Sequence, residues 1–439
     1  MKTTKWMALM ALACLAISAR PTFGNEIAEA FMQALEAGDF ESAHAMLDED
    51  AADQLTEPLL IQTWEALPAQ LGEYRGRGPA RRETIAGREL TVYRLDFANM
   101  ALDARIAVDA DGRIDGFRLL PAPPAPGPAP GAAEFEGGEE IRVDVAGDLP
   151  GLLALPHGDG PFAAVVLVHG SGPNDRDETI GPNKPFRDLA HGLAQRGIAS
   201  LRYDKRTLVQ PERFETGAYT VDDEVIDDAL TATDLLRERP EIDSGSVFVL
   251  GHSLGAMLAP RIAAVDAGLA GIILAAAPAR PMGEVLLQQL NHIAASDGEV
   301  APAETTRIEA IRAEVQAMAE YRAETAAQPG LLGAPQAYWL DLAGYDPVAK
   351  TKELAIPVLV LQGGRDYQVT VEDDFARWRQ VFEDSDRVVL RLYPNLNHLF
   401  VAGEGMATPA EYMTRAGHVD KDLLDDLAEF IHTRREGQR

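Results

Sequence analysis

Apolar residues recur at two different spacings along this chain, and the change from one spacing to the other marks out its parts. Near the N-terminus they fall three and four apart. Phe31, Leu35, Ala43 and Leu47 supply the apolar faces of predicted helices over 27–37 and 42–47, and a third helix is expected over 58–71. From 87 to 119 the spacing tightens to alternation in three short runs, 90–97, 101–108 and 114–119, with Asp111-Gly112 as a hairpin turn. Helices followed by such a meander predict a small α+β domain over 25–120. Residues 121–133 break both patterns: proline and alanine dominate, extended polyproline geometry is favoured and no core can be buried, so the stretch reads as a linker.

Beyond it, the chain alternates apolar runs, 163–168, 198–203, 246–250, 271–276, 356–361 and 387–393, with amphipathic stretches such as 186–196 and 221–237. Fully buried strands alternating with crossover helices predict an α/β fold, a doubly wound, mostly parallel sheet, over 134–439. The runs 141–145 and 152–155, joined through Gly147-Asp148, are expected to pair as an edge hairpin. Between 283 and 350 the strand rhythm stops, and long helical patterns over 285–295 and 305–326 predict a cap insertion.

Two features of composition narrow the setting. Residues 1–24 combine Lys2 and Lys5, an apolar stretch over 6–17 and small residues before Asn25, which is the form of a cleaved signal peptide and predicts an exported protein, periplasmic or extracellular. The chain has one cysteine, Cys14, inside that segment, so the processed protein has no thiol for disulfides, zinc or nucleophilic catalysis. A lipid anchor on Cys14 would shorten the apolar stretch to about eight residues, and cleavage after Gly24 fits better. Removing Lys2, Lys5 and Arg20 takes the formal charge from −29 to −32, which disfavours nucleic-acid partners. No later run reaches the roughly 18 apolar residues of a membrane span.

The chemistry gathers in the second domain. Val247-Phe248-Val249-Leu250-Gly251-His252-Ser253-Leu254-Gly255-Ala256 sets a G-x-S-x-G between a predicted strand and a predicted helix. Small residues on both sides allow the sharp turn that lifts a serine hydroxyl above a sheet, so Ser253 is the expected nucleophile. A serine hydroxyl needs an imidazole to take its proton and a carboxylate to orient the imidazole. The run 356–361 ends in Gln362-Gly363-Gly364-Arg365-Asp366, which places Asp366 at a strand tip; Asp373 and Asp374 sit in what reads as the opening turn of the next helix, where acids serve the helix dipole. His398 follows the last strand in Asn395-Leu396-Asn397-His398, whereas His418 and His432 read as surface residues. His252, beside the serine, is expected to be structural. Two backbone donors for an oxyanion are expected from Leu254 N–H and from Ser171 N–H in the loop Val168-His169-Gly170-Ser171-Gly172-Pro173.

In this order, residues 135–435 resemble the α/β-hydrolase superfamily. Within it, His169-Gly170-Ser171-Gly172-Pro173-Asn174-Asp175-Arg176-Asp177 and Arg202-Tyr203-Asp204-Lys205-Arg206 look like those of bacterial carboxylesterases related to cinnamoyl and acetyl esterases and to serine-aminopeptidase-like hydrolases. The preceding domain resembles a small domain of unknown function found in front of such enzymes, itself similar to nuclear-transport-factor-2-like folds. The resemblance implies a triad of Ser253, Asp366 and His398, a cap that shapes an acyl or alcohol pocket, and no cofactor or metal. H-G-S-G in place of the H-G-G-G of many lipases weighs against long-chain triglycerides as substrates.

Several residues receive the plainer of two readings. Asp204, Lys205 and Arg206 read as a local ion pair bracing their loop, Tyr338 and Trp339 as packing within the cap, Trp64 as a core indole, and His44 as a satisfied or exposed histidine without chemistry. The resulting expectation is a serine carboxylesterase acting on a small-molecule ester. Its rivals are a peptidase, amidase or acyltransferase on the same triad, and a binding protein on a hydrolase scaffold. Natural substrate and oligomeric state are not legible.

Overall fold

A computed structural model describes residues 23–437 apart from 86–87, 99–100, 123–132, 215–216, 297, 299 and 301. Most of the expected signal segment and linker, with Cys14, therefore lie outside the described residues. Two compact units each carry a sheet.

The first opens with helices α1 (Phe23–Ala37), α2 (Phe40–Ala45), α3 (Glu49–Gln54) and α4 (Glu57–Leu71). Strands β1 (Tyr74–Arg77), β2 (Arg81–Ile85), β3 (Arg88–Phe97), β4 (Ala101–Val108) and β5 (Ile114–Pro121) follow, in the order β1-β3-β4-β5 with β2 paired antiparallel to β3. Asp39 and Asp48 cap α2 and α3 by accepting from the Ser42 and Ala51 amides. The β4–β5 turn is the expected one: Gly112 has φ +78°, and Asp109 Oδ1 accepts from the Asp111 and Arg113 amides. The helix α3 and the strands β1 and β2 were not foreseen, because Tyr74-Arg75-Gly76-Arg77 and Arg81-Arg82-Glu83-Thr84-Ile85 show too little apolar alternation to read as strands. Trp64 is half-buried and not a core residue.

The second unit begins with β6 (Ala133–Phe135), β7 (Gly138–Val145) and β8 (Leu149–Pro156), all antiparallel at one edge of a nine-stranded sheet. There follow β9 (Phe162–Val168), α5 (Pro185–Ala194), β10 (Ile198–Tyr203), α6 (Arg206–Val209), α7 (Asp227–Arg237), β11 (Ile242–His252), α8 (Leu254–Val265) and β12 (Gly271–Ala275). The cap segment holds α9 (Met282–Ala295), α10 (Pro302–Ala317), α11 (Gln336–Ala343) and α12 (Pro347–Glu353). The chain closes with β13 (Val358–Gly363), α13 (Ala376–Phe382), β14 (Val388–Tyr393), α14 (Pro409–Thr414) and α15 (Lys421–Gly437). Strand order is β14-β13-β12-β11-β9-β10-β8-β7-β6, and β9 to β14 are mutually parallel.

Alternation along each parallel strand feeds two separate cores. Val166, Val249, Ile272 and Val360 face α7, α8 and α13, where Ala232, Ile262 and Trp378 meet them. Val165, Phe248, Ile273 and Leu361 face α5 and α15, where Phe186, Leu193, Leu427 and Ile431 lie. Burial on both faces is why β9, β12 and β13 read as continuous apolar runs. Among the described residues, no helix is long and apolar enough to cross a membrane.

The helix expected over 305–326 stops at Ala317. Tyr321 and Arg322 are extended, and the chain folds back so that the Tyr321 and Trp339 rings close on Gly330, where even a β-carbon would crowd both at 3.2 Å. Tertiary packing overrides a helical pattern here.

Candidate active site

Strand β11 and helix α8 meet at Ser253, whose backbone is forced to φ +52°, ψ −115°. That conformation costs a non-glycine residue on the order of 1–3 kcal/mol and survives because its surroundings over-determine it. The Ser253 amide donates to Ala275 O (2.9 Å), and its carbonyl accepts from Met257 N–H (2.9 Å) as the first bond of α8. A β-carbon on Gly251 would overlap the Gly255 carbonyl, and one on Gly255 would overlap the carbonyls of Val168 and His169. The turn therefore requires glycine at both positions. Leu254 is the first residue of α8, so its N–H lies ahead of the helical ladder.

Asp366 and His398 come together from the loops after β13 and β14. Asp366 Oδ2 accepts from His398 Nδ1 at 2.7 Å, and both side chains are buried. Its other oxygen accepts from the Gln368 (2.8 Å) and Val369 (3.0 Å) amides, which fixes the plane of the carboxylate. The base loop is tied to the nucleophile turn: the His252 and His398 rings lie 4.6 Å apart, and His252 Nε2 donates to the His398 carbonyl at 2.9 Å. The histidine next to the serine is thus structural, as its position suggested.

The glycine loop after β9 lies against the serine. A β-carbon on Gly170 would sit 3.2 Å from that of Ser253. Gly170 N–H donates to Glu178 Oε1 (2.7 Å), while its carbonyl accepts from Lys205 Nζ (2.9 Å) and Asn174 Nδ2 (3.2 Å). Asn174 Nδ2 also reaches the Ser171 (3.1 Å) and Gly172 (3.3 Å) carbonyls. In a trans peptide the N–H points opposite to the C=O, so holding the Gly170 carbonyl from behind aims Ser171 N–H the other way. The Ser171 N–H is thus turned away from Lys205 and Asn174.

The acidic alternatives are engaged elsewhere. Asp374 is fully buried and accepts from Arg280 Nη2 (2.7 Å), Ala279 N (2.9 Å) and Thr370 N (3.2 Å), and Asp373 bonds Thr370. His418 pairs with Asp188 on the surface, and His432 with the Arg196 carbonyl. Asp204, Lys205 and Arg206 do form a brace, but not a local one. Asp204 binds Arg176 (2.6 Å), Lys205 binds Glu224 (2.6 Å) and Arg206 binds Asp228. Tyr338 and Trp339 are packed within the cap, Trp339 Nε1 donating to Leu331 O at 2.8 Å. Their plain reading holds; burial, with the charge of Glu224 nearby, pushes the Tyr338 phenol well up.

The cap's hold on the acid loop was not visible in the sequence. Gln288 and Gln289 on α9 donate to the carbonyls of Tyr367 (2.9 Å) and Gln368 (3.1 Å). His292 stacks on Tyr367 (4.6 Å), which in turn stacks on Tyr412 (5.7 Å), whose hydroxyl accepts from the His398 amide at 3.4 Å. Two neighbours of the serine loop have shifted acidity. Burial, with Lys205 nearby, pushes His169 down to about 4 against the pull of Glu178. Burial alone would raise Glu178, but the adjacent His252 and its bond to Gly170 N–H bring it down.

Residues 159–404 match the family described as serine aminopeptidase S33, more than half of the chain. The chain belongs to the serine aminopeptidase S33 family. Residues 28–117 of this S33 hydrolase match a family of proteins of unknown function, DUF3887. Esterase EstD of Thermotoga maritima is 40% identical over 402 residues, which span 91% of this chain and 93% of that protein. Among solved structures, an esterase from Pyrococcus furiosus aligns over 72% of this chain and 98% of its own at 15% identity and a TM-score of 0.41. Est1E from Butyrivibrio proteoclasticus with bound ferulic acid aligns over 67% and 99% at 14% identity and a TM-score of 0.43. The assignment rests on the family match and on the T. maritima relative. The fold is that of an α/β-hydrolase with a separate small antiparallel domain in front.

Proposed function

We propose that this S33 hydrolase is a serine carboxylesterase that cleaves small carboxylic esters through an acyl-enzyme. Ser253 Oγ attacks the ester carbonyl while His398 takes its proton, and Asp366 holds the imidazole in the tautomer that accepts at Nε2. The oxyanion is received by the Ser171 and Leu254 amides. His398 then protonates the departing alcohol, and a water activated by the same imidazole releases the acid. The observation that carries this reading is the buried 2.7 Å Asp366–His398 bond on a loop pinned to the nucleophile turn. Relatedness to Esterase EstD supports an ester over an amide.

The family's description as aminopeptidases favours a second reading, amide cleavage. Ester and amide derivatives of one acyl group separate the two: the esterase reading expects turnover of p-nitrophenyl butyrate and little of butyryl p-nitroanilide, and the reverse preference refutes it. We further propose export through residues 1–24, supported by Lys2, Lys5 and the apolar run 6–17. N-terminal sequencing of protein recovered outside the cytoplasm should begin at Asn25, and an intact Met1 in that protein refutes it.

A further inference from the structure

Glu178 has no part in the triad, yet its placement is unusually constrained. Its backbone sits at φ +50°, a conformation that a glutamate adopts only when the surroundings hold it there. Its side chain is buried, with one oxygen on Gly170 N–H (2.7 Å) and the other 2.9 Å from His252 Nδ1. The opposite nitrogen of His252 reaches the His398 carbonyl at 2.9 Å. Rings of Phe186 and Phe400 stand 6.5 and 6.4 Å from the His252 ring, so the group lies in an apolar cage.

Both neighbours of His252 are acceptors, a carboxylate oxygen and a backbone carbonyl. A neutral imidazole has one N–H, which Nε2 gives to the His398 carbonyl, whereas an imidazolium also sets a positive charge 2.9 Å from the buried carboxylate. We propose that Glu178 and His252 form a charged positioning pair: the carboxylate anchors the oxyanion loop through Gly170, and the imidazolium anchors the base loop through the His398 carbonyl. One buried ion pair then sets the spacing between the two halves of the hydrolytic machinery. The proposal rests on the assignment of Ser253 and His398 given above. The groups facing His252 agree with its charge. Burial would lower its pKa, but Glu178, the His398 carbonyl and Asp366 raise it above the ordinary histidine value. His169, at the end of β9, is held neutral and adds no competing charge near neutral pH.

The test is kcat and KM for p-nitrophenyl butyrate against pH, per active site titrated with a p-nitrophenyl phosphonate, which discounts unfolded protein. His252→Phe keeps ring volume but loses both contacts; kcat should fall by about 30-fold with KM moving less than about threefold. His252→Gln retains a donor towards the His398 carbonyl and should recover most of that loss. In the wild type, kcat should decline at the alkaline end as His252 loses its second proton. Glu178→Gln can donate to a neutral ring, and its profile, normalised to its own plateau, should lose that decline. The proposal is overturned if His252→Phe keeps kcat within about twofold of wild type, if His252→Gln recovers nothing, or if Glu178→Gln retains the alkaline decline. Ser253→Ala, run alongside, separates the failures: activity that survives it overturns the site assignment itself, and activity that it abolishes leaves the outcome to the Glu178 and His252 variants.

Discussion

Replacing Asp366 by asparagine changes one oxygen to an amide nitrogen and nothing in volume, and the surrounding donors decide which way the new group must turn. The Gln368 and Val369 amides, at 2.8 and 3.0 Å, demand an acceptor at the first position. The amide nitrogen is therefore driven to the second, facing His398 Nδ1 where a carboxylate oxygen stood at 2.7 Å. A donor there requires Nδ1 to accept, so the ring proton moves to Nε2 and the imidazole can no longer take a proton from Ser253. Loss of the working tautomer costs roughly 10³- to 10⁴-fold in kcat, or about 4–5.5 kcal/mol of transition-state stabilisation. Stability should fall by only about 1 kcal/mol: the two backbone bonds persist, while Gln362 Nε2, 3.3 Å from the second position, loses an acceptor. Steady-state hydrolysis of p-nitrophenyl acetate, with the thermal midpoint measured on the same sample, reads both quantities. A folded Asp366→Asn enzyme within tenfold of wild-type kcat would refute the reasoning.

Two other perturbations follow from buried charge. Lys205→Met removes the cation between the Gly170 carbonyl and Glu224, leaving Glu224 buried without its partner; this should cost about 3–5 kcal/mol of stability and, by freeing the Ser171 amide to turn, at least about tenfold in kcat. Calorimetry and ester turnover check it, and an unchanged thermal midpoint contradicts it. His169 is held down to about 4 when folded and returns to about 6.5 when unfolded, so the unfolded state binds the extra proton first. Its contribution is full above pH 6.5 and lost as pH falls through 4, by about 3 kcal/mol; His169→Gln should flatten that part of the stability profile in denaturant titrations at pH 7 and pH 4, and an unchanged slope rules the cause out.

The parts of the site that were legible in the sequence are those built from neighbours in the chain. Gly251 and Gly255 flank Ser253 because backbone carbonyls occupy the space a side chain would need, and that constraint is written in five consecutive residues. Asp366 stood out because it follows β13, a fully buried parallel strand, and His398 because it follows β14, the last strand, at the sheet edge. What stayed hidden depends on contacts between distant segments. The same Glu178 would read as one more acid in a polar loop, and only the folded chain brings it to Gly170 and His252. Lys205 looked like half of a local pair with Asp204, yet its carboxylate is supplied by Glu224. The cap's grip on the acid loop through Gln288, Gln289 and His292 is likewise tertiary. Strands β1 and β2 escaped notice because Arg75 and Arg77 take alternate places in the first and Arg81 and Glu83 in the second, and β6 because its first residue falls at the end of an alanine-rich linker.

The central claim is that Ser253 is the nucleophile of an ester hydrolase. Hydrolysis of p-nitrophenyl acetate, butyrate and octanoate by the wild-type protein and by Ser253→Ala tests it most directly. Turnover of at least one of the shorter esters that disappears in the alanine variant, with the fold intact by circular dichroism, is the predicted result; an intact wild-type protein inactive on all three, or a variant as active as the wild type, would contradict it.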